Sequence, residues 1–216
     1  MPPVEHPLFS RVWSWAMRHE PAGVRRAREE LLAGLEGRVL EVGAGTGSNF
    51  DLYPAGVTEV VAVEPDRVLR EQAAVAAAKR ETAVPGTRIR VLDGTFEDLP
   101  GDAAGPYDAV VCALVLCSVA DVPASLAAAH DALRPGGELR YYEHVATDGW
   151  LGGLQRTVDA TFWPRAFGGC HTHRDTVAAI DRAGFERVTH RDVRLAPTWA
   201  PVPVAPMALG VARRAA

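Results

Sequence analysis

The sequence predicts one α/β domain, a seven-stranded and mostly parallel sheet with helices on both faces, and three observations carry that expectation. Five apolar, strand-like runs alternate with segments of helical composition, the pattern of parallel strands joined by crossover helices. A loop with glycine at every second position, Gly43-Ala-Gly-Thr-Gly47, follows directly on the first run. Two later apolar runs, separated by a proline-broken segment, supply closing strands of antiparallel type.

Taken in order, residues 9–35 read as helix broken near Pro21 and Gly23, with 24–35 the better-formed half. Strands are expected at Val39 to Val42, Val60 to Val63, Ile89 to Leu92, Ala109 to Leu114 and Leu139 to His144. Between them, Arg67 to Arg80 and Val122 to Leu133 have helical length and Ala/Leu content, the second closed by Arg134-Pro-Gly-Gly137. Residues 147–173 mix Trp150, Phe162, Trp163 and Phe167 with glycines and prolines and read as an irregular substrate cap. A helix from Asp175 to Arg182 and strands from Phe185 to Val193 and Met207 to Ala212 complete the chain. Residues 1–216 thus form one unit: 1–36 a helical lid, 37–144 the nucleotide-binding half, and 145–216 the cap and closing strands.

Bulk properties narrow the function. With 216 residues, 48% hydrophobic and 23% charged, the chain can bury a core without staples. Twenty-seven acidic against 23 basic residues lack the positive potential that a phosphate backbone selects, so nucleic acid is not expected as a partner. Cys112, Cys117 and Cys170 show no CxxC spacing, which argues against a disulfide framework or a zinc site and for a reducing cytoplasm. Neither a signal-peptide core nor a membrane-spanning run occurs, so the expectation is a soluble protein.

The glycine loop is the most informative stretch. Glycines let the backbone turn tightly and let a ligand approach without meeting a Cβ, and the helix that follows offers free N–H groups. A dinucleotide fingerprint would place the third glycine one residue later and answer to a pyrophosphate; here position 48 is Ser. Glu41, two residues before the first glycine, would repel a pyrophosphate but suits ammonium and sulfonium charges, and S-adenosylmethionine (SAM) carries both. Glu64 ends the second strand, 17 positions after Gly47, where a carboxylate can accept from two ribose hydroxyls. Phe96, after the third strand, is placed to pack on the adenine. The expected SAM contacts are therefore Glu41, Gly43, Ala44, Gly45, Thr46, Gly47 and Asn49 in and around the first turn. Glu64 and Pro65 follow the second strand, and Gly94, Thr95 and Phe96 the third. Ala113, Leu114 and Cys117 border the methyl position.

These residues resemble class I SAM-dependent methyltransferases, a Rossmann-like fold, through Glu41-Val-Gly-Ala-Gly-Thr-Gly47, Glu64-Pro-Asp66, Asp108-Ala-Val-Val111 and Leu133-Arg-Pro-Gly-Gly-Glu138. Further segments are similar to the methyltransferase-like seven branch: Asn49-Phe50 with Tyr53-Pro54, Leu114-Val-Leu-Cys-Ser-Val119, Tyr142-Glu-His-Val145, and Gly169-Cys170 with Arg174. That resemblance implies S-methylation of alkyl thiols. Two departures stand out. The apolar membrane anchor that opens that branch is missing, and Thr95 sits where many class I members carry an adenine-binding Asp.

Methyl transfer from a sulfonium needs an aligned, deprotonated acceptor rather than a metal or covalent intermediate. Acceptor-side groups should project from the carboxyl ends of the central strands. His144 is the first candidate for a base or orienting group, with a packed, hydrogen-bonded histidine as the alternative. Cys117 reads as a small apolar wall beside the methyl. His171 and Trp163 are expected to close over the acceptor, or else to form the cap's own core. His171 and His173, two apart, lack a third ligand at recognisable spacing, so no metal is expected. Phe9, Trp13, Trp15 and Met17 with Arg11 and Arg18 read as a lid across the SAM site rather than an interfacial helix. The expected activity is small-molecule methyl transfer, to an apolar thiol by preference. Methylation of an amine or phospholipid headgroup, a non-catalytic SAM-binding role and a nicotinamide oxidoreductase are the alternatives.

Overall fold

The computed structural model describes residues 7–215, without the side chains of residues 7–9, 12, 16 and 18. The lid candidates Phe9 and Arg18 therefore lie outside the described side chains. Seven strands form one sheet: β1 (Gly37–Val42), β2 (Val57–Val63), β3 (Arg88–Leu92), β4 (Tyr107–Ala113), β5 (Leu133–His144), β6 (Phe185–Arg194) and β7 (Pro206–Arg214). The spatial order is β3-β2-β1-β4-β5-β7-β6. Strands β1 to β5 pair in parallel. Only β7 is reversed: it pairs antiparallel with both β5 and β6, so β6 runs with the parallel set, where two reversed strands were expected.

Alternation along each strand builds two core layers. Val39, Val60, Ala62, Ala109 and Val111 face α2 (Ala22–Leu32) and α3 (Arg67–Ala83). Leu40, Val42, Val61, Val110 and Cys112 face the opposite layer with α4 (Val122–Ala132) and α7 (Thr176–Arg182). The exposed edge strand β6 carries Glu186, Arg187, Arg191 and Asp192, charges that discourage edge-to-edge pairing.

Aspartates start three helices, each accepting a backbone N–H three residues on: Asp66 from Leu69, Asp121 from Ala124 and Asp175 from Ala178. The N-terminal helical stretch divides into α1 (Pro7–Arg18) and α2, with the break at 19–21. Helix α2 runs through Gly23 and ends before Gly34, whose φ is +71°.

Two sequence expectations need correction. Arg134-Pro-Gly-Gly137 is not a loop that closes α4; it lies inside β5, as an irregular insertion between the pairs Tyr107–Leu133 and Ala109–Glu138. The cap is not irregular either, since α5 (Gly149–Ala160) and the short α6 (Trp163–Ala166) occupy it. Gly152 is built into α5: a Cβ there would run into the Thr147 carbonyl. No helix among the described residues is long and apolar enough to cross a membrane.

Candidate active site

The strand order reverses between β1 and β4, and in open parallel sheets the crevice beyond the strand ends at that point is where ligands bind. On one side of it lies the turn after β1. Gly43, Gly45 and Gly47 all have positive φ, +65°, +57° and +75°, a region that L side chains rarely enter. Their surroundings differ. A Cβ on Gly43 would come within 2.5 Å of Val115, and one on Gly47 within 2.7 Å of Phe50, so both are packing requirements. Gly45 instead faces α1, where a Cβ would sit 3.1 Å from the indole nitrogen of Trp13. Ser10 donates to Asp66 at 2.7 Å. Helix α1 thus lies across the glycine turn and the start of α3, while Trp15 points outward, 59% exposed.

The acidic residues of this half are buried and organised. Glu64 accepts from the Gly45 N–H (2.8 Å) and the Asp66 N–H (2.9 Å). Burial raises its pKa against those two bonds. Its oxygens keep lone pairs that ribose hydroxyls could use. Glu41 does not present a free charge to a ligand: its oxygens accept from Asn49 Nδ2 and Tyr53 Oη, each at 2.8 Å. Burial pushes its pKa up to about 6, against the lowering effect of those donors. Its role is to hold Asn49 and Tyr53 behind the turn. Asn49 Oδ1 is buried without a hydrogen-bond partner among the described residues, an acceptor that an ammonium group would satisfy.

The remaining cofactor candidates divide. Ala44 donates to the Val63 carbonyl at 3.2 Å, and Thr46 Oγ1 lies 2.7 Å from Ser48 Oγ, so both shape the turn. Pro65 accepts from Arg70 at 2.9 Å. Gly94 and Thr95 form a closed turn in which Thr95 N–H donates to Asp98 O and Asp98 N–H to Thr95 Oγ1. Phe96 is a correction: it is 3% exposed and packs in the α4 core layer, so its ring offers no open face to an adenine.

The acceptor side is assembled from three segments. Leu114 leaves β4 in the left-handed region, φ +64°, a conformation that costs a branched residue energy and concentrates at functional turns. The turn aims successive N–H groups at Glu143: Val115 and Leu116 donate to Oε1 at 2.9 and 3.0 Å, and Cys117 to Oε2 at 3.2 Å. Glu143 is fully buried, with its pKa raised by desolvation against these bonds. Beside it, His144 Nδ1 lies 3.4 Å from Cys170 Sγ, and Cys170 Sγ lies 3.8 Å from Cys117 Sγ. The hydrogen bond with Cys117, and then His144, hold Cys170 below the usual thiol range, while Cys117 is raised by Cys170 and by burial. The Nδ1 of His144 is therefore engaged by a thiol of the protein itself.

The cap brings Cys170 there. Asp159 of α5 accepts from the N–H and hydroxyl of Thr172 (2.8 and 3.0 Å) and the N–H of His173 (2.9 Å). Buried Gln155 reaches the Thr147 N–H and the carbonyls of Val145, Thr172 and Pro203. Arg174 donates to the carbonyls of Leu116 and Val119. The His171 N–H donates to the Cys117 carbonyl at 2.8 Å, and its Nδ1 lies 2.8 Å from the Gly169 carbonyl. Arg174 Nη2, a donor only, lies 3.1 Å from the same Nδ1, so the carbonyl and the guanidinium ask opposite roles of that nitrogen. Trp163 stacks on Phe167 with centroids 4.1 Å apart, and its buried indole N–H helps to hold the Cys170 thiol down.

Sequence reading did not foresee the parts of Tyr53, Asp66, Gln155 and Asp159, nor that Glu143 is the clamp of the Val115–Cys117 turn. Asp66 had a signal, an aspartate one residue before a helix.

Comparison with known proteins agrees with this geometry. Residues 16–190 match the family described as a methyltransferase domain. The human thiol S-methyltransferase TMT1A is 33% identical over 171 residues, 77% of this chain and 68% of that protein. The human thiol S-methyltransferase TMT1B is 34% identical over 185 residues, 84% and 73% respectively. Among solved structures, the N-methyltransferase NodS of Bradyrhizobium japonicum, in complex with S-adenosyl-L-homocysteine, superposes with a TM-score of 0.66 at 15% identity, covering 97% of this chain and 99% of that one; this likeness is one of fold. With a glycine turn at the point where the strand order reverses and a relationship that spans most of its length, the chain belongs to the class I SAM-dependent methyltransferases, in the branch of the thiol S-methyltransferases TMT1A and TMT1B.

Proposed function

We propose that this methyltransferase transfers the methyl group of SAM to the sulfur of a small apolar thiol. The observation that carries the reading is the chemistry of the acceptor wall. Glu143, the buried carboxylate at the end of β5, is turned toward three backbone N–H groups, which leaves it little capacity to steady a cationic amine. The groups left beside it are two thiols, an imidazole and stacked aromatic rings, a soft and apolar surface. The activity named for the relatives supports the same acceptor.

SAM supplies an electrophilic methyl on a cationic sulfur, a good leaving group. The protein's part is alignment and exclusion of water. Glu64 accepts from the ribose, the Gly45 backbone allows close approach, and α1 covers the turn. An alkyl thiol is already a few per cent ionised near neutrality, so no strong base is needed and its proton can pass to solvent. The three cysteines are free thiols, which supports a reducing, cytoplasmic setting.

The test is to incubate the chain with SAM and a panel of alkyl thiols, amines and phenols and to identify products by mass. The expected result is a methyl thioether formed in step with S-adenosylhomocysteine. Turnover confined to amines or phenols overturns the acceptor.

A further inference from the structure

We propose that Cys117, His144 and Cys170 form a binding site for a thiophilic divalent metal ion of the Zn2+ class. Each offers one ligand atom, and the three atoms lie within 4.8 Å of one another. A tetrahedral ion with bonds of about 2.3 Å to sulfur and about 2.0–2.1 Å to nitrogen sets its ligand atoms about 3.8 Å apart for sulfur to sulfur and about 3.5 Å for sulfur to nitrogen. The measured separations are 3.8 Å for Cys117 Sγ to Cys170 Sγ and 3.4 Å for Cys170 Sγ to His144 Nδ1. Two edges of such a tetrahedron are already in place.

The surroundings hold the ligands as a metal site would require. Cys117 is fixed through its N–H by Glu143, and its carbonyl accepts from His171. The segment carrying Cys170 is pinned by Asp159 through Thr172 and His173, and Arg174 ties the same segment to the Leu116 and Val119 carbonyls. Outer contacts of this kind orient ligands and tune affinity. A purely apolar wall would need none of them, and a valine or alanine would fill either cysteine position without two buried thiols facing an imidazole.

Two thiolates and one imidazole leave the fourth tetrahedral position open, the arrangement of catalytic rather than structural zinc. The site stands at the carboxyl ends of β4 and β5, on the acceptor side of the crevice. The thiol acceptor takes that position: its sulfur bonds to the metal as its proton passes to solvent. The bound sulfur's electron pair then forms the new S–CH3 bond while the S–CH3 bond of SAM breaks, giving neutral S-adenosylhomocysteine and a thioether that binds the metal only weakly and leaves. This acceptor step rests on the thiol reading above; metal binding does not.

The full chain, reduced, stripped with a chelator and titrated with Co2+ as an optical stand-in for Zn2+, gives the test. One equivalent is expected to bind with a thiolate-to-cobalt charge-transfer band and tetrahedral visible bands, both displaced by Zn2+. Cys117→Ser and Cys170→Ser should each remove roughly half of the charge-transfer intensity, and His144→Ala should weaken binding by at least about tenfold. Cys112→Ala, in the α4 core layer, should keep the spectrum. Calorimetric SAM binding in each variant verifies folding. No charge-transfer band, or a band unchanged in all three ligand variants, overturns the site. An alkyl thiol should shift the visible bands of the Co2+ form; a spectrum that ignores saturating thiol overturns acceptor coordination. Bound Co2+ without thiol turnover refutes the acceptor reading while the metal site stands.

Discussion

The two walls of the crevice are built by different means. The cofactor wall is a single run of chain: β1, the glycine turn and the residues held behind it, with Glu64 arriving from the neighbouring strand. The acceptor wall is stitched together from Leu114–Cys117, Glu143–His144 and Cys170–Arg174, joined through one buried carboxylate, two sulfurs and an arginine. A continuous wall demands particular backbone conformations and so writes itself into sequence as glycines. A stitched wall demands particular partners, and these can sit anywhere the topology brings them together.

If the walls are separable, damage to one should spare the other. The largest effect is expected from Gly45→Val, which forces a branched residue to φ +57° against Trp13. Calorimetry should find SAM affinity reduced by more than about 3 kcal/mol, over a hundredfold. Next comes Glu143→Gln, which sets an amide donor against backbone donors. It should cost about 3 kcal/mol in denaturant unfolding and nearly all turnover, while a SAM affinity within about twofold of wild type would keep the walls distinct. Glu64→Ala should weaken SAM by about 1.5–3 kcal/mol and leave the cobalt spectrum of the acceptor side as it was.

The smallest effect concerns Glu41. Its folded pKa, about 6, lies above the ordinary carboxyl value of 4.5. Its contribution to stability is therefore complete below about pH 4.5 and is lost as pH rises through 6, a loss on the order of 2 kcal/mol by neutrality. Glu41→Gln should reduce the slope of the stability profile between pH 4.5 and 7, measured by denaturant midpoints, while Glu64 and Glu143, also raised by burial, keep part of it. An unchanged profile would remove Glu41 as a contributor.

The same difference explains what could be read from sequence. The five parallel strands and the glycine turn were legible because hydrophobic period and glycine placement are local, but the expected helix after the glycine turn is only the 3-10 turn Phe50–Leu52, and β3 is followed only by the 3-10 turn Gly101–Ala103. Helix α5 was not legible, because Gly149, Gly152 and Gly153 look like breakers, whereas Gly152 is where α5 passes the Thr147 carbonyl. Phe96 looked like an adenine platform by position alone; its burial depends on α4. At the acceptor wall the pair His171 and His173 drew attention for its spacing. Yet His173 lies by Arg156, at 3.1 Å, while Cys117, His144 and Cys170 meet across 53 residues of chain. Nothing local marks such a meeting; only sheet order and the docking of α5 create it.

The most direct measurement is competition for limiting enzyme and SAM between an alkyl thiol and the amine and alcohol of the same chain length, scored as relative kcat/KM. A wall of sulfur, imidazole and aromatic groups predicts a thiol preference of at least about a hundredfold, on the order of 3 kcal/mol in transition-state stabilisation. Equal rates, or preference for the amine, would contradict it.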